Sequence, residues 1–245
     1  MDIELCSFSS LEVPLIDSSI RIELCSSYYD GGLSPSHSIF LYFKKLINNP
    51  IFVMIRPRGG DFYYSMQEFQ WMTDEVKWFK DNGASGVVLG VLQKDGSVDI
   101  KRTKILVDIA DPIPVTFHRA FDMSVDIFQA LEDIILSGCK RILTSGASPN
   151  VDKGFNNLVN LKDLAKDRIE IMPGGGVNIY NVYQFIQSGF KSIHFSSKKN
   201  VLSPMQYKPN LSLSNLSNIS SFDYVATDLK KLNNFISYVR EHSNS

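Results

Sequence analysis

The stretch Gly86-Val-Val-Leu-Gly-Val91, followed by Asp99–Asp108 and then by Pro114-Val-Thr-Phe-His118, decides the fold class of this chain. The first and last runs are short and apolar, as is typical of strands buried on both faces of a sheet. The stretch between them has apolar residues at helical spacing. This order predicts two parallel strands joined by a crossover helix.

The same alternation extends over the whole chain and predicts eight strands. The candidate strands are Ile3–Cys6, Arg21–Cys25, Ile51–Ile55, Gly86–Val91, Pro114–His118, Arg141–Thr144, Ile169–Met172 and Ser192–Phe195. No long linker or low-complexity block divides them. We therefore predict a closed (β/α)₈ TIM barrel that forms a single domain over residues 1–245. A doubly wound open sheet is the competing architecture, and the count of eight disfavours it.

Helical spacing fills most of the intervals between these strands. The clearest helix is Ser65–Asn82, in which apolar residues recur at steps of three and four. The other candidates are Ser9–Ile16, which is short and contains Pro14, and Asp99–Asp108, Val125–Ser137, Asn156–Ala165, Ile179–Ser188 and Thr227–Val239. Residues 201–224 are rich in Ser and Asn, which predicts an irregular excursion before the last helix.

Composition excludes several classes of function. Lys plus Arg total 25 and Asp plus Glu total 26 among 245 residues, so the formal net charge of −1 disfavours nucleic acid and anionic membrane as partners. No apolar stretch approaches the roughly 18 residues of a membrane span, and the amino terminus lacks the pattern of a signal peptide. Three cysteines are too few for a disulfide framework. We expect a cytoplasmic protein with reduced thiols.

Polar residues gather where the predicted strands end, which is the active face of such barrels. They are Glu4, Cys6, Glu23, Cys25, Arg56, Arg58, Asp61, His118, Arg119, Gly174, Gly175, Gly176 and Ser196. Charged side chains are seldom buried without partners, so the set predicts a mutually neutralising network. Two interpretations follow: a structural ion cluster, or a pocket for a small polar or anionic ligand.

In the pocket interpretation, Arg56, Arg58 and Arg119 bind a carboxylate or phosphate, and Asp61 orients an arginine or caps a helix. Gly174–Gly176 and Ser196 supply further anion contacts, although a tight turn also explains the glycines. Glu4, Glu23 and His118 are the candidates for moving protons, and a satisfied polar-core histidine is the alternative for His118. Lys198 and Lys199 either add charge to this site or obstruct it. No nucleotide cofactor is indicated.

Two strings resemble the CutC family, known as copper homeostasis proteins. They are Arg56-Pro-Arg-Gly-Gly-Asp-Phe-Tyr-Tyr-Ser65 and Thr116-Phe-His-Arg-Ala-Phe-Asp122. Shorter ones are Ile22-Glu-Leu-Cys-Ser26, Gly31-Gly-Leu-Ser-Pro35, Arg141-Ile-Leu-Thr-Ser-Gly146 and Pro173-Gly-Gly-Gly-Val177. The resemblance implies a TIM barrel, a cytoplasmic homo-oligomer (a dimer or larger) and a role in copper handling.

The resemblance also implies that Cys6 and Cys25 hold Cu(I). Soft thiolates favour this ion, and two ligands suffice for it. Core packing of small apolar cysteines is the alternative. The first functional hypothesis is therefore a cytoplasmic protein that binds or traffics Cu(I). The second is an isomerase or lyase acting on a small phosphorylated or carboxylated metabolite. The first predicts copper as the partner, and the second predicts an anion.

Overall fold

A computed structural model of the chain describes residues 1–7, 17–207 and 223–243. Its strands are β1 Asp2–Ser7, β2 Arg21–Leu24, β3 Ile51–Met54, β4 Gly86–Leu89, β5 Val115–Phe117, β6 Arg141–Thr144, β7 Glu170–Pro173, β8 Ser192–Phe195, β9 Lys198–Val201 and β10 Tyr224–Thr227. Its α-helices are α1 His37–Leu46, α2 Met66–Asp81, α3 Ile100–Ala110, α4 Ile127–Leu136, α5 Phe155–Ala165, α6 Val182–Gln187 and α7 Leu229–Ser243. Tyr28–Asp30 and Arg119–Met123 form 3₁₀ turns.

Strands β1 to β8 form one parallel sheet. Hydrogen-bonded pairing runs in the order β7-β6-β5-β4-β3-β2-β1-β8. The two end strands, β7 and β8, lie in contact with each other and nearly close the barrel. The predicted TIM barrel is therefore confirmed, and each predicted strand agrees with an observed one to within two residues at either end. That the chain forms a single domain stays a prediction.

Side-chain hydroxyls and carboxylates begin most of the helices that cover the barrel. Ser65 forms a capping box with Glu68 at the start of α2, while Asp99 and Asp126 accept backbone N–H groups at the starts of α3 and α4. Sequence spacing missed α1, which Ser36 caps. The predicted helix Ser9–Ile16 lies outside the described residues.

Alternation along the strands divides the apolar core into two parts. Residues such as Ile22, Leu24 and Ile193 belong to the large core between the sheet and the helices. Residues of the opposite parity point into the barrel. There a smaller apolar cluster forms from Cys6, Cys25, Phe52, Met54 and Val88. The polar residues that share this inward parity therefore occupy the barrel interior.

The predicted excursion over residues 201–224 has ordered ends. Val201 closes β9 and Tyr224 opens β10, and these two strands pair antiparallel. The ribbon starts just after β8, so it places Lys198 at the carboxyl ends of the barrel strands. Within the described residues, no helix is both long and apolar enough to cross a membrane.

Candidate functional site

A cavity of about 370 Å³ opens at the carboxyl ends of the strands. The side chains that give it chemical character come from separate strands and loops. They are Cys6, Glu23, Arg56, His118, Arg119 and His194. Parallel strands direct their carboxyl ends to one face of a barrel, which explains why residues so distant in sequence meet here.

Two thiols lie on neighbouring strands at the base of this cavity. The sulfur atoms of Cys6 and Cys25 are 3.5 Å apart, and the Cys25 thiol also donates to the carbonyl of Ser7. Cys6 lines the cavity, whereas Cys25 is fully buried behind it. The hydrogen bond to Cys25, together with burial, raises the pKa of Cys6 well above its usual value. Burial also raises the pKa of Cys25, so both groups are thiols at neutral pH.

Glu23 and His194 form an ion pair beside Cys6. The Nε2 atom of His194 lies 2.8 Å from the Glu23 carboxylate. Burial is the largest single influence on both groups and disfavours both charges. The charge of the partner, together with the hydrogen bonds between the two groups and to Cys6, outweighs it, which lowers the pKa of Glu23 and raises the pKa of His194. One ligand atom each from Cys6, Glu23 and His194 lie within 4.8 Å of one another. A metal ion could therefore contact a sulfur, a nitrogen and an oxygen at this point.

His118 is held as a neutral imidazole on another part of the wall. Its Nδ1 atom accepts the backbone N–H of Ala120 at 3.1 Å, which leaves the proton on Nε2. Burial, with the nearby charge of Arg56, lowers the pKa of His118 to about 3. The ring fits closely because position 90 is glycine: a Cβ atom there would lie 2.6 Å from the imidazole.

Backbone carbonyls fix the guanidinium of Arg56. Nη1 donates to the carbonyls of Asp30 and Gly32 at 2.5 and 3.0 Å, and Nη2 donates to that of Gly60 at 3.1 Å. The guanidinium also lies 4.9 Å from the centre of the Phe62 ring, a cation–π contact. Arg56 is therefore a rigid cation in the cavity wall.

Arg119 supplies a second guanidinium. It donates to Asp122 at 2.7 Å and to the Ser145 hydroxyl at 2.8 Å. It also packs on the loop after β7, because a Cβ atom at Gly175 would lie 3.2 Å from the guanidinium carbon. Gly176, Ser196 and Lys198 complete this side of the cavity. Lys198 lies over the Tyr28 ring, with its nitrogen 4.1 Å from the ring centre, whereas Lys199 does not line the cavity.

Besides Cys25, four predicted ligand or proton-transfer residues do not line this cavity. Arg58 and Asp61 bond to each other, and Arg58 reaches Glu68 at 2.6 Å, so they brace the start of α2. Glu4 pairs with Arg21 at 2.5 Å toward the amino ends of the strands. Gly174 serves close packing inside the barrel, because a Cβ atom there would lie 2.4 Å from Leu143. The structure therefore does not bring these four residues together with the others at the cavity.

His194 is a functional candidate that sequence reasoning left out of the site, whereas Lys198 was expected either to add charge to the site or to obstruct it, and it lines the cavity. Alternation on β8 gives His194 the same face as Ser196, but a satisfied core histidine is the favoured interpretation of that position in the sequence. Its proximity to Glu23, 171 positions away in sequence, depends on barrel closure between β8 and β1. No local pattern encodes that contact.

Known proteins resemble this chain in sequence and in fold. The matched part of the chain includes the residues that line the cavity. The CutC family model matches residues 1–199. A family protein CutC of Proteus mirabilis is 38% identical over 230 residues, which is 92% of this chain and 91% of the relative. The copper homeostasis protein cutC homolog of Homo sapiens is 40% identical over 215 residues, covering 86% and 78%.

Solved structures show the same architecture. A crystal structure of CutC from Streptococcus agalactiae superposes with a TM-score of 0.74 at 29% identity, covering 79% of this chain and 97% of that one. A native KDPGal structure matches at 14% identity with a TM-score of 0.56, a likeness of fold alone. By sequence and by structure, this chain belongs to the CutC family, whose mammalian members are named copper homeostasis proteins.

Proposed function

We propose that this protein binds Cu(I) through Cys6 and Cys25 and serves copper handling. The observation that supports the proposal is the 3.5 Å separation of the two sulfur atoms, one of which faces the cavity. Cu(I) is a soft ion that prefers sulfur ligands, so a pair of thiols favours it over hard cations. The copper in the names of the mammalian relatives agrees with this choice.

The surroundings of the thiols fit a copper ion as cargo. Cys6 is open to the cavity, which gives an ion a path to the sulfur pair. His194 lies within reach as a nitrogen donor, and Glu23 orients its ring through the 2.8 Å hydrogen bond. Binding must displace the thiol protons, because the thiolate is the ligand. A cytoplasmic location and a homo-oligomer stay predictions.

An anaerobic Cu(I) titration against a competing chelator tests this proposal. We expect one ion per chain, and at least a roughly 100-fold loss of affinity in the Cys6→Ser, Cys25→Ser double variant, since both first ligands are gone. Cys139→Ser is the matched control: Cys139 is buried at 3% exposure, and burial raises its pKa to about 12. Equal copper affinity in the double variant and the wild type would refute the thiol site.

A further inference from the structure

The cavity contains more positive charge than a copper site uses. Among the described residues that line it, Arg56, Arg119 and Lys198 are cations, and Glu23 is the one carboxylate. Glu23 is already paired with His194. A net positive charge in the wall attracts an anion. The arginines and His118 therefore need an explanation other than copper.

The Nε2 atom of His118 is the ring nitrogen that can donate a hydrogen bond. The Ala120 N–H occupies the Nδ1 atom, so Nε2 carries the proton. Nε2 is buried and has no hydrogen-bond partner among the described residues, although the ring lines the cavity. A buried donor without an acceptor is destabilising, and an oxygen atom of a ligand would remove that cost by accepting its hydrogen bond.

Arg56, like His118, has a buried nitrogen atom without a hydrogen-bond partner among the described residues. It is 6% exposed, and three backbone carbonyls fix it, with no carboxylate in a salt bridge among the described residues. Its Nε atom is buried and has no hydrogen-bond partner in the same part of the chain. Carbonyls orient a guanidinium without cancelling its charge. The positive charge of Arg56 therefore remains available to a ligand.

Arg119 stands where the loop after β7 meets the cavity. Asp122 holds one edge of its guanidinium, and the same carboxylate accepts the backbone N–H groups of Ser145 and Ala147. Gly175 has a φ of +101° and lies directly against the guanidinium. The loop after β7 is a common place for phosphate in barrels of this architecture. Arg119 is thus pre-oriented before any ligand arrives.

We infer that this side of the cavity binds a small organic anion, whose carboxylate or phosphate contacts Arg119 and the glycine loop. A second oxygen of the anion accepts a hydrogen bond from the Nε2–H of His118. The positive charge of Arg56 attracts the anion from a distance. The volume of about 370 Å³ suits a small metabolite. The anion contacts come from residues other than Cys6 and Cys25, so either proposal can fail without the other.

Binding of matched three-carbon anions tests the inference. Calorimetric titration at constant ionic strength would use glycerate, glycerol 3-phosphate and inorganic phosphate, with sodium chloride as the blank. We expect saturable binding of glycerate or glycerol 3-phosphate, and the stronger of the two identifies the anionic group. Arg119→Ala is expected to weaken it about 10- to 100-fold, as loss of a charge-assisted hydrogen bond does. Arg168→Ala, at an exposed pair with Glu132, removes the same charge and is expected to change nothing.

Two more variants separate recognition from general damage. His118→Phe removes the donor and is expected to weaken binding at least tenfold, while His118→Gln restores an N–H donor and recovers part of it. The Cys6→Ser, Cys25→Ser variant is expected to bind the anion as the wild type does. If no probe saturates the wild type, or if Arg119→Ala and Arg168→Ala bind alike, the inference is overturned. If His118→Phe does not fold, the comparison of Arg119 with Arg168 decides.

Discussion

Two clusters of charged side chains occupy the interior of this barrel, and they differ in how their charges are balanced. Toward the amino ends of the strands, Arg21 contacts Glu4, and Arg141 contacts both Glu4 and Glu170. Both arginines also lie over the face of the Phe52 ring. Two acids and two bases thus alternate around an aromatic ring in a packed layer.

The cluster at the carboxyl ends also contains glutamate and arginine, but its charges are paired differently. Glu23 is paired with His194 and Asp122 with Arg119, while the Arg56 guanidinium faces the cavity with no carboxylate partner among the described residues. The contrast shows that buried charge alone does not mark a functional site. Unbalanced charge beside open space does. The two initial interpretations thus correspond to two different clusters: the amino-end cluster is a network of ion pairs, and the carboxyl-end cluster is the candidate pocket.

The largest expected effect comes from breaking the amino-end cluster with Glu4→Gln. Glu4 is fully buried, and its removal as an anion leaves the Arg21 guanidinium without its 2.5 Å partner. Loss of one member of a buried ion pair typically costs about 3–5 kcal/mol. We expect the free energy of unfolding, measured by urea denaturation, to fall by about that amount.

Glu132→Gln is the matched control for that measurement. Glu132 pairs with Arg168 on the surface, where both side chains are nearly half exposed. Solvent screens such a pair, so we expect a much smaller change in the free energy of unfolding than for Glu4→Gln. A loss for Glu4→Gln no greater than for the control would show that the amino-end cluster does not stabilise the barrel.

The contrast between the clusters also explains how far the sequence could be interpreted. Strand positions and inward faces followed from local patterns, because alternation and helical spacing are properties of neighbouring residues. That is why Cys6, Glu23 and His118 were assigned to one end of the barrel. The sequence could not separate Glu4 from Glu23, which occupy equivalent places in the repeated motifs Ile-Glu-Leu-Cys.

Glu4 and Glu23 lie at different depths in the barrel because neighbouring strands are staggered. Glu4 pairs in register with Arg21, and Cys6 pairs with Glu23. This offset of two residues places the first glutamate deeper in the barrel than the second. Arg58 lies outside the cavity lining for a different reason: it pairs with Glu68, which forms a capping box with Ser65, and such a cap has a local signature in the sequence.

The next largest effect is a pH dependence at the carboxyl-end cluster. The pKa of His118 falls from 6.5 to about 3 in the folded protein. Between these values the unfolded chain binds a proton that the folded chain does not, so stability falls as the pH drops below 6.5. From pH 7.5 to pH 5 the loss from this one group is about 2 kcal/mol.

Comparison with His118→Gln isolates that contribution, because the other titrating groups are common to both proteins. We expect the urea-derived free energy of the wild type to decline more steeply than that of the variant over this range. The quantity to be measured is the difference between the wild type and the variant in how steeply the free energy of unfolding changes with pH. Parallel curves would mean that His118 titrates normally, and the fixed neutral donor on the cavity wall would have to be abandoned.

The smallest expected effect is that of Arg58→Ala, which tests whether the carboxyl-end cluster extends to Arg58. Its side chain is 37% exposed and donates to Glu68 and to the carbonyl of Tyr63, outside the cavity. Arg58→Ala should therefore lower the free energy of unfolding by about 1 kcal/mol, as loss of a solvent-screened pair does. Calorimetric affinity for glycerate or glycerol 3-phosphate should stay within about twofold of the wild type, in contrast to Arg119→Ala. A tenfold loss in Arg58→Ala would extend the anion site to the start of α2 and return Arg58 to the role that the sequence suggested.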